Sequence, residues 1–587
     1  VMRCGIRWWA VPILVVGAAT ASAQTKLAAT DFVFKSTGGN AGSDYNIWSN
    51  GFIGTFLSVD KPTTVTLQIR AAGTAAKLTW PMMGVHVGNR QFAIKVNRTA
   101  FTTYTVTCDL PAGTTLVRIE FSNDFYDPAA GQDRNLVVRD LTVSGPGVTI
   151  VNPSGANDTQ TMVGKAVDST IENYRKQDAT LTVKDSAGRP LPNASVRVKL
   201  SRHAFNFGTA VAGGWSSNDP LWPNPAAGST AAQFQAALAL NFNMVSLENA
   251  GKWALSEPTR GNVNLAYVDA IFDFARKNKM RARYHTLLWG DAQPDWVTKL
   301  EATALGSDPK AAAAAVLELK QAIKARILYI AKDRGQRFIE LDGINEASEG
   351  HQPVFLNIFG YTGIGDIYRS AISELRAGLS GAKVYFNDYN VLNYGPDYYA
   401  GWYLNFIRGV MDTGMTSTDK ARLGVGIQYY NIGSIQHDPV RIYQSLANLG
   451  SLGMPISLTE FGVDSGSPGP AATILQDTLR LVFGTDQATT FNTWGFWSSA
   501  MWVNGAAFYD ANWNLTPVGK IWQQMTGVKD WGLSGVPYWT TDVTLSTDAN
   551  GKLKLRGFLG DYAVSAGLRK GSVAVKLGTS AYDVTVR

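Results

Sequence analysis

The amino-acid sequence predicts a multidomain protein: an N-terminal β-sandwich, a (β/α)8 barrel of the TIM type, and a small β unit formed by segments flanking the barrel. Three observations lead there. Residues 31–145 alternate apolar and polar side chains with period two, and no helical period competes. Between residues 205 and 530, short apolar runs alternate with helix-length stretches. Two further period-two segments, near residues 178–200 and 541–587, bracket that repeat. A length of 587 residues leaves room for about three or four domains. A charged fraction of 17% argues against long disorder and coiled coil.

At the start, Arg3 and Arg7 precede an apolar run from Trp8 to Ala21, and Ala21-Ser22-Ala23 is a small-residue cleavage pattern before Gln24. Residues 1–23 are therefore expected to be a signal peptide, making the protein secreted, either extracellular or periplasmic. No later stretch reaches 18 apolar residues, so no membrane association is expected after processing. Loss of Arg3 and Arg7 takes the formal charge from +7 to +5 without any basic cluster, which excludes a nucleic-acid footprint. Of the two cysteines, Cys4 falls in the removed segment, so Cys108 can form no internal disulfide. A monomer is expected.

The sandwich is assigned to 24–147, with strands such as Val65 to Arg70 and Leu116 to Phe121. Gly145-Pro146-Gly147 and Asn152-Pro153-Ser154-Gly155 mark its end. Residues 148–177 read as a polar connector, helical near Asp168 to Tyr174. The segment 178–203 holds two strands around Asp185 to Pro190. It is expected to pack with 541–587, whose turn is Thr547 to Gly551. The barrel is assigned to 204–530. Its strands are Phe205–Val211, Met244–Leu247, Arg281–Trp289, Phe338–Ile344, Lys383–Phe386, Gly424–Tyr429, Pro455–Thr459 and Thr493–Phe496. Helical stretches separate them, among them Tyr267–Asn278, Pro309–Asp333, Gly365–Gly378, Asp397–Asp412 and Pro439–Leu449. A doubly wound open sheet would want a Gly-rich phosphate turn after its first strand, and none is present.

Barrel active sites lie at the C-terminal ends of the strands. Strand two runs into Glu248-Asn249, with Lys252 following. Strand three carries His285 and ends at Trp289. Strand four ends in Asn345-Glu346, strand five in Asn387-Asp388-Tyr389-Asn390 and strand six in Gln428-Tyr429-Tyr430. Strand seven ends in Glu460, and strand eight carries Trp494 ahead of Trp502. Two carboxylates facing each other across such a cleft are what glycoside hydrolysis needs: one protonates the leaving oxygen and the other attacks or activates water. Glu346 would need a raised pKa to stay protonated, whereas Glu460 is expected to stay ionised through neighbouring hydrogen-bond donors.

These motifs resemble glycoside hydrolase family 10, best known as endo-1,4-β-xylanases. The matching stretches are Leu247 to Trp253, Tyr284 to Trp289, Gln293 to Trp296, Gly343 to Ala347, Phe386 to Asn390, Gly426 to Gln428, Leu458 to Phe461, and Trp494-Gly495 with Trp502. The resemblance implies a retaining double displacement without a cofactor, with Glu346 as acid/base and Glu460 as nucleophile. Their carboxyl groups would then lie about 5–5.5 Å apart. It also implies that Glu248, Asn249, Lys252 and His285 hold the non-reducing side of the substrate. Trp289, Asn345, Asn387, Gln428, Tyr430, Trp494 and Trp502 are the further expected substrate contacts. Two positions depart from the pattern: Gly290 and Tyr430 stand where the family usually has His. This leaves the acid and nucleophile in place and opens the choice of substrate. Another or substituted β-glycan is the alternative to xylan, and an inactive polysaccharide-binding protein is a third reading. His203 is read as a packing residue.

Residues 65–145 resemble calcium-dependent xylan-binding modules of families 36 and 60, through Phe121-Ser122-Asn123-Asp124 and the run from Asp133 to Asp140. Calcium takes six to eight oxygen ligands, and Asp124, Asp127 and Asp133 are the candidate carboxylates. Trp48 and Trp80 are candidate sugar platforms or core residues. The expected partner is xylan or a related plant cell-wall β-glycan.

Overall fold

The computed structural model describes residues 24–213, 225–348, 350–396, 399–464 and 468–587. The expected signal peptide and the Asp397 start of one expected helix lie outside them. Among the described residues, no helix is long and apolar enough to cross a membrane, and Cys108 is a buried free thiol.

The N-terminal region is a sandwich of two six-stranded antiparallel sheets. One is ordered 39–41, 44–47, 136–144, 63–73, 102–110, with 24–28 added on 136–144. The other is ordered 149–151, 51–59, 113–121, 82–87, 90–95, with 34–35 added on 51–59. Strand 149–151 pairs with 51–59, so the sandwich runs past the expected boundary at residue 147. Alternation explains the shared core: Ile53, Leu57, Val65, Leu67, Val85, Ile119 and Leu141 all point between the sheets. The strand Gly51–Val59 is buried on both faces. Its outward Phe52 and Phe56 join Phe34 in the core cluster of the barrel, and the Phe34 and Phe56 rings lie 6.2 and 6.5 Å from Tyr443.

The expected polar connector is largely a 19-residue helix, Ala156–Tyr174, which includes the stretch expected to be helical and extends it toward the N-terminus. Met162, Val163, Ala166, Val167 and Ile171 recur at helical spacing and are buried, while the polar residues between them face water. The helix touches the sandwich strand 113–121, the helices Pro439–Gly450 and Pro468–Phe483, and the strand Lys176–Lys184. Arg175 follows it and donates to the carbonyls of Phe483, Thr485 and Ala488 at 2.6–2.7 Å.

Strands on the two sides of the barrel pair into one unit. Lys176–Lys184 lies between Lys552–Phe558 and Ala581–Thr585. Ser195–His203 lies between Asp542–Ser546 and Gly560–Ala566. This unit packs where the barrel strands begin. There, buried His203 bonds the Trp539 carbonyl at 2.6 Å and packs on Phe207, Phe483 and Phe558. Burial pushes its pKa down to about 4, which fits a neutral packing residue.

The barrel strands are β1 (Asn206–Val211), β2 (Met244–Leu247), β3 (Arg281–Tyr284, resuming at Leu288–Trp289), β4 (Glu340–Asn345), β5 (Lys383–Asp388), β6 (Leu423–Ile432), β7 (Ile456–Asp464) and β8 (Ala488–Thr493). All neighbours are parallel, and β8 pairs with β1, so the sheet closes. The eighth strand was expected at Thr493–Phe496 and lies before it. Its inward side chains are polar: Thr490 donates to Glu340 at 2.7 Å and Asn492 to the Thr459 carbonyl at 2.9 Å. A search for apolar runs passes over such a strand. Beyond it, Gly495 takes φ +102°, where an L side chain is strained. The barrel interior is polar elsewhere too. Fully buried Arg283 pairs with Glu340 and Asp342.

Candidate active site

The C-terminal strand ends open into a cleft of about 550 Å³. Its walls include Glu248, Asn249, Lys252, His285, Trp289, Asn345, Glu346, Gln428, Tyr430, Glu460, Trp494 and Trp502. Parallel closure brings them together, because every strand of the barrel delivers its last residue to the same mouth. Tyr389, Asn390, Ile432 and Ile435 also line it. Ile432 ends β6 and Ile435 follows it, and neither carries a polar signal by which the sequence would mark it.

Glu346 stands one residue past β4 with φ +55°. Its carboxylate accepts from the Trp289 indole N–H and the Gln428 amide, both at 2.8 Å. Glu460 lies within β7 and accepts from the Tyr430 hydroxyl at 2.7 Å and from the Asn387 amide at 3.2 Å. Asn387 also donates to Asn345 Oδ1 at 2.7 Å and accepts from Thr459 at 2.6 Å. Gln428 also approaches Asn345 Oδ1 at 3.5 Å, so a path of amides joins the two carboxylates. Asn387 was expected among the substrate contacts. It is buried behind Asn345 and Glu460 and does not line the cleft, because its amide is fully used in holding them.

Burial raises the pKa of both glutamates. Glu460 is pushed up to about 8 by desolvation first and by the Glu346 charge second. The Tyr430 and Asn387 donors oppose this without cancelling it. The donors expected beside Glu460 are present and favour its charged form, while burial and the Glu346 charge act against them. The two carboxyls form a coupled pair that retains one proton near neutral pH. Glu346 is raised by burial and by the charge of Asp388.

Around this pair, Lys252 donates to Asn249 Oδ1 at 2.8 Å and lies 4.9 Å from the Trp289 ring. Burial lowers the Lys252 pKa, and the charges of Glu460, Glu248 and Glu346 oppose that in part. His285 donates from Nδ1 to Asp342 at 2.9 Å, and its ring meets Trp494 edge-on at 5.0 Å. Burial lowers its pKa, so the imidazole is neutral and Nε2 is an acceptor. Asp342, the orienting partner, was not singled out from the sequence. Its signal was Glu340 and Asp342 two apart in β4, sharing a face with Arg283 of β3.

Gly290 has a steric reason. A Cβ there would come within 2.9–3.1 Å of Gln352 and Val354, so the chain following Glu346 fills the space a His would need. Tyr430 approaches Trp502 edge-on at 5.0 Å, and its burial keeps the phenol protonated as a donor to Glu460.

The sandwich acids behave differently. Among the described residues, no three His, Cys, Asp or Glu side chains converge as a metal cage, so Asp124, Asp127 and Asp133 do not assemble as one set. In the hairpin Phe125–Asp127 with Gln132–Arg134, Tyr126 faces Asp133 and Asp127 faces Gln132. Asp127 and Asp133 therefore point to opposite faces. Asp127 instead accepts from the Ala130 N–H at 3.1 Å, holding the turn. Asp124 fits a cation better: its Oδ1 is buried without a hydrogen-bond partner, and burial with the nearby Asp133 charge raises its pKa. Asp124 and Asp133, with loop carbonyls, would hold calcium. Trp48 is 52% exposed and Trp80 is half-buried.

Residues 199–524 match the model of glycosyl hydrolase family 10, and residues 66–157 match that of a Ca-dependent, xylan-binding carbohydrate-binding module. Among similar proteins is anti-sigma-I factor RsgI6 of Acetivibrio thermocellus, 26% identical over 402 residues, covering 67% of this chain and 45% of that protein. Endo-1,4-beta-xylanase 1 of Arabidopsis thaliana is 23% identical over 398 residues, covering 67% of this chain and 36% of that one. The chain thus spans less than half the length of these two relatives. The crystal structure of xylanase 10B from Thermotoga petrophila with xylobiose covers 54% of this chain and 92% of its own, at 21% identity and a TM-score of 0.44.

Proposed function

The chain belongs to glycosyl hydrolase family 10, and from that premise we propose that it is a secreted endo-1,4-β-xylanase of retaining mechanism, held to xylan by its N-terminal module. The observation that carries this reading is the pair itself. Glu346 and Glu460, from β4 and β7, line one cleft and are joined through Gln428, Asn345 and Asn387.

The pair's single proton sets the roles. Desolvation raises Glu460 and the Glu346 charge adds to it; with the proton on Glu346 that second contribution is gone, and the Tyr430 and Asn387 donors favour Glu460 as the carboxylate of the pair. Glu460 attacks the anomeric carbon while Glu346 gives its proton to the departing glycosidic oxygen. The C1–O bond breaks and a glycosyl ester forms on Glu460. Glu346, now ionised, takes a proton from water. The resulting hydroxide attacks C1 and frees Glu460, and the proton stays on Glu346 for the next turn. Asn345 is placed to bind the hydroxyl beside the reacting carbon, where a hydrogen bond strengthens as positive charge develops. Neutral His285, with Glu248, Asn249 and Lys252, binds the non-reducing side, while Trp494 and Trp502 wall the sugar.

Asp124 and Asp133 would hold the calcium ion, which would supply a cationic contact for sugar hydroxyls. It serves binding and takes no part in hydrolysis. The Tyr430–Glu460 bond keeps a second reading in play, a substituted β-glycan as preferred substrate.

The test is the anomeric form of the first product released from xylan, followed by NMR. A β product supports the assignment. An α product, or no reducing ends released, overturns it. Export is checked by N-terminal sequencing of the secreted protein, expected to begin at Gln24.

A further inference from the structure

A run of aromatic rings leaves the cleft and reaches the sandwich. Tyr389 lines the cleft and stacks on His351 at 3.8 Å, and His351 stacks on Tyr399 at 5.4 Å. Tyr399 meets Tyr394 at 5.2 Å and Trp402 at 5.4 Å. Tyr394 and Trp402 are 45% and 47% exposed. One helical turn beyond Trp402, Asn405 accepts from Asn50 of the sandwich at 3.4 Å. Asn50 accepts in turn from the backbone N–H of Asp124, the candidate calcium ligand, at 2.9 Å. Two residues before Asn50 stands the exposed Trp48.

The sandwich is fixed in this place. Phe34 and Phe56 are packed on Tyr443, and Arg408, from the same helix as Trp402 and Asn405, pairs with buried Glu120 of the sandwich. Large exposed rings with polar tips, set between two sugar-binding sites, match the apolar face and hydroxyl rim of a pyranose ring.

We propose that Tyr394 and Trp402 form a polysaccharide-binding track between cleft and module, which takes the reducing-end side of the same β-1,4-xylan chain. The track rests on the hydrolase reading above. The side follows from position: Glu248, Asn249 and Lys252 take the non-reducing side, and Tyr389 stands on the other wall. The cleft, the track and the module then hold one continuous strand. The module thereby adds affinity to the chain being cut as well as to neighbouring chains.

The test compares kcat/KM on soluble polymeric xylan and on an aryl β-xylobioside, too short to reach Tyr394, for the full chain and for Trp402→Ala and Tyr394→Ala/Trp402→Ala. The polymer-to-xylobioside ratio is expected to fall about three- to tenfold, through KM, and Trp402→Phe is expected to restore most of it. An unchanged ratio, or equal losses on both substrates, overturns the track while leaving the hydrolase reading intact. A wild-type chain inactive on both substrates overturns the hydrolase reading itself. A dimer in sedimentation velocity that Trp402→Ala dissolves would show a second copy on this surface, and also overturns the track.

Discussion

In the barrel, Glu248, Glu346 and Glu460 are far apart in sequence and meet in one cleft. In the sandwich, Asp124, Asp127 and Asp133 are close in sequence, and Asp127 turns away from the other two. A closed parallel barrel sends all its strand ends to the same mouth. A two-stranded hairpin sends successive side chains to alternate faces. Convergence of acids is thus a property of the topology, and nearness along the chain is a poor guide to it.

Four measurements break or sharpen this contrast. Glu460→Ala and Glu346→Gln should each lower kcat/KM on xylan by about 10³-fold or more. Retention on insoluble xylan should be unchanged, since the sandwich acids are untouched. An active variant would mean that the barrel acids converge without doing the chemistry.

Burial separates the two groups next. The folded pKa of Glu460, about 8, lies above its ordinary value of 4.5. The stability tied to its protonated form is therefore whole below about pH 4.5 and is lost as pH rises through about 8. Glu460→Gln stays neutral, so it should be more stable than wild type at pH 9 by about 2–5 kcal/mol, with little or no gain at pH 4.5. Urea unfolding at both pH values checks this.

Within the sandwich, chelation or Asp124→Ala should weaken retention on insoluble xylan by about 10- to 100-fold. Cleavage of short oligosaccharides should persist. Asp127→Ala should matter less than about twofold. Equal losses at 124 and 127 would restore the three-acid site.

The smallest effect concerns Tyr430. Activity should fall as pH rises past about 8, where the pair loses its last proton and no acid remains. Removing the Tyr430 hydroxyl deletes a donor that lowers the Glu460 pKa. Tyr430→Phe should therefore move that limb upward and cost about tenfold in kcat. A pH–rate profile reads both.

The barrel and its cleft were legible because strand ends carry the chemistry, and pairs such as Asn345-Glu346 announce themselves in sequence. Less legible were residues whose partners lie across the fold. Asn387 looks like a sugar contact until Asn345 and Glu460 are seen to occupy its amide. β8 was displaced because its inward Thr490 and Asn492 serve Glu340 and the Thr459 carbonyl, so it lacks an apolar run. Helix 156–174 was read as a connector because its buried stripe is narrow and set among polar residues. The double burial of Gly51–Val59 did leave a trace, the near-continuous apolar run Phe52-Ile53-Gly54-Thr55-Phe56-Leu57. It gave notice of a second packing face.

Strand 176–184 takes both its neighbours from segments beyond residue 551. The whole barrel lies in the chain between this strand and its partners. Its edges and the Phe207–Phe483 floor of the barrel stay uncovered until those partners are in place. Folding of the nascent chain thus ends with a long-range closure, and that waiting period is when the chain is most exposed to misassembly.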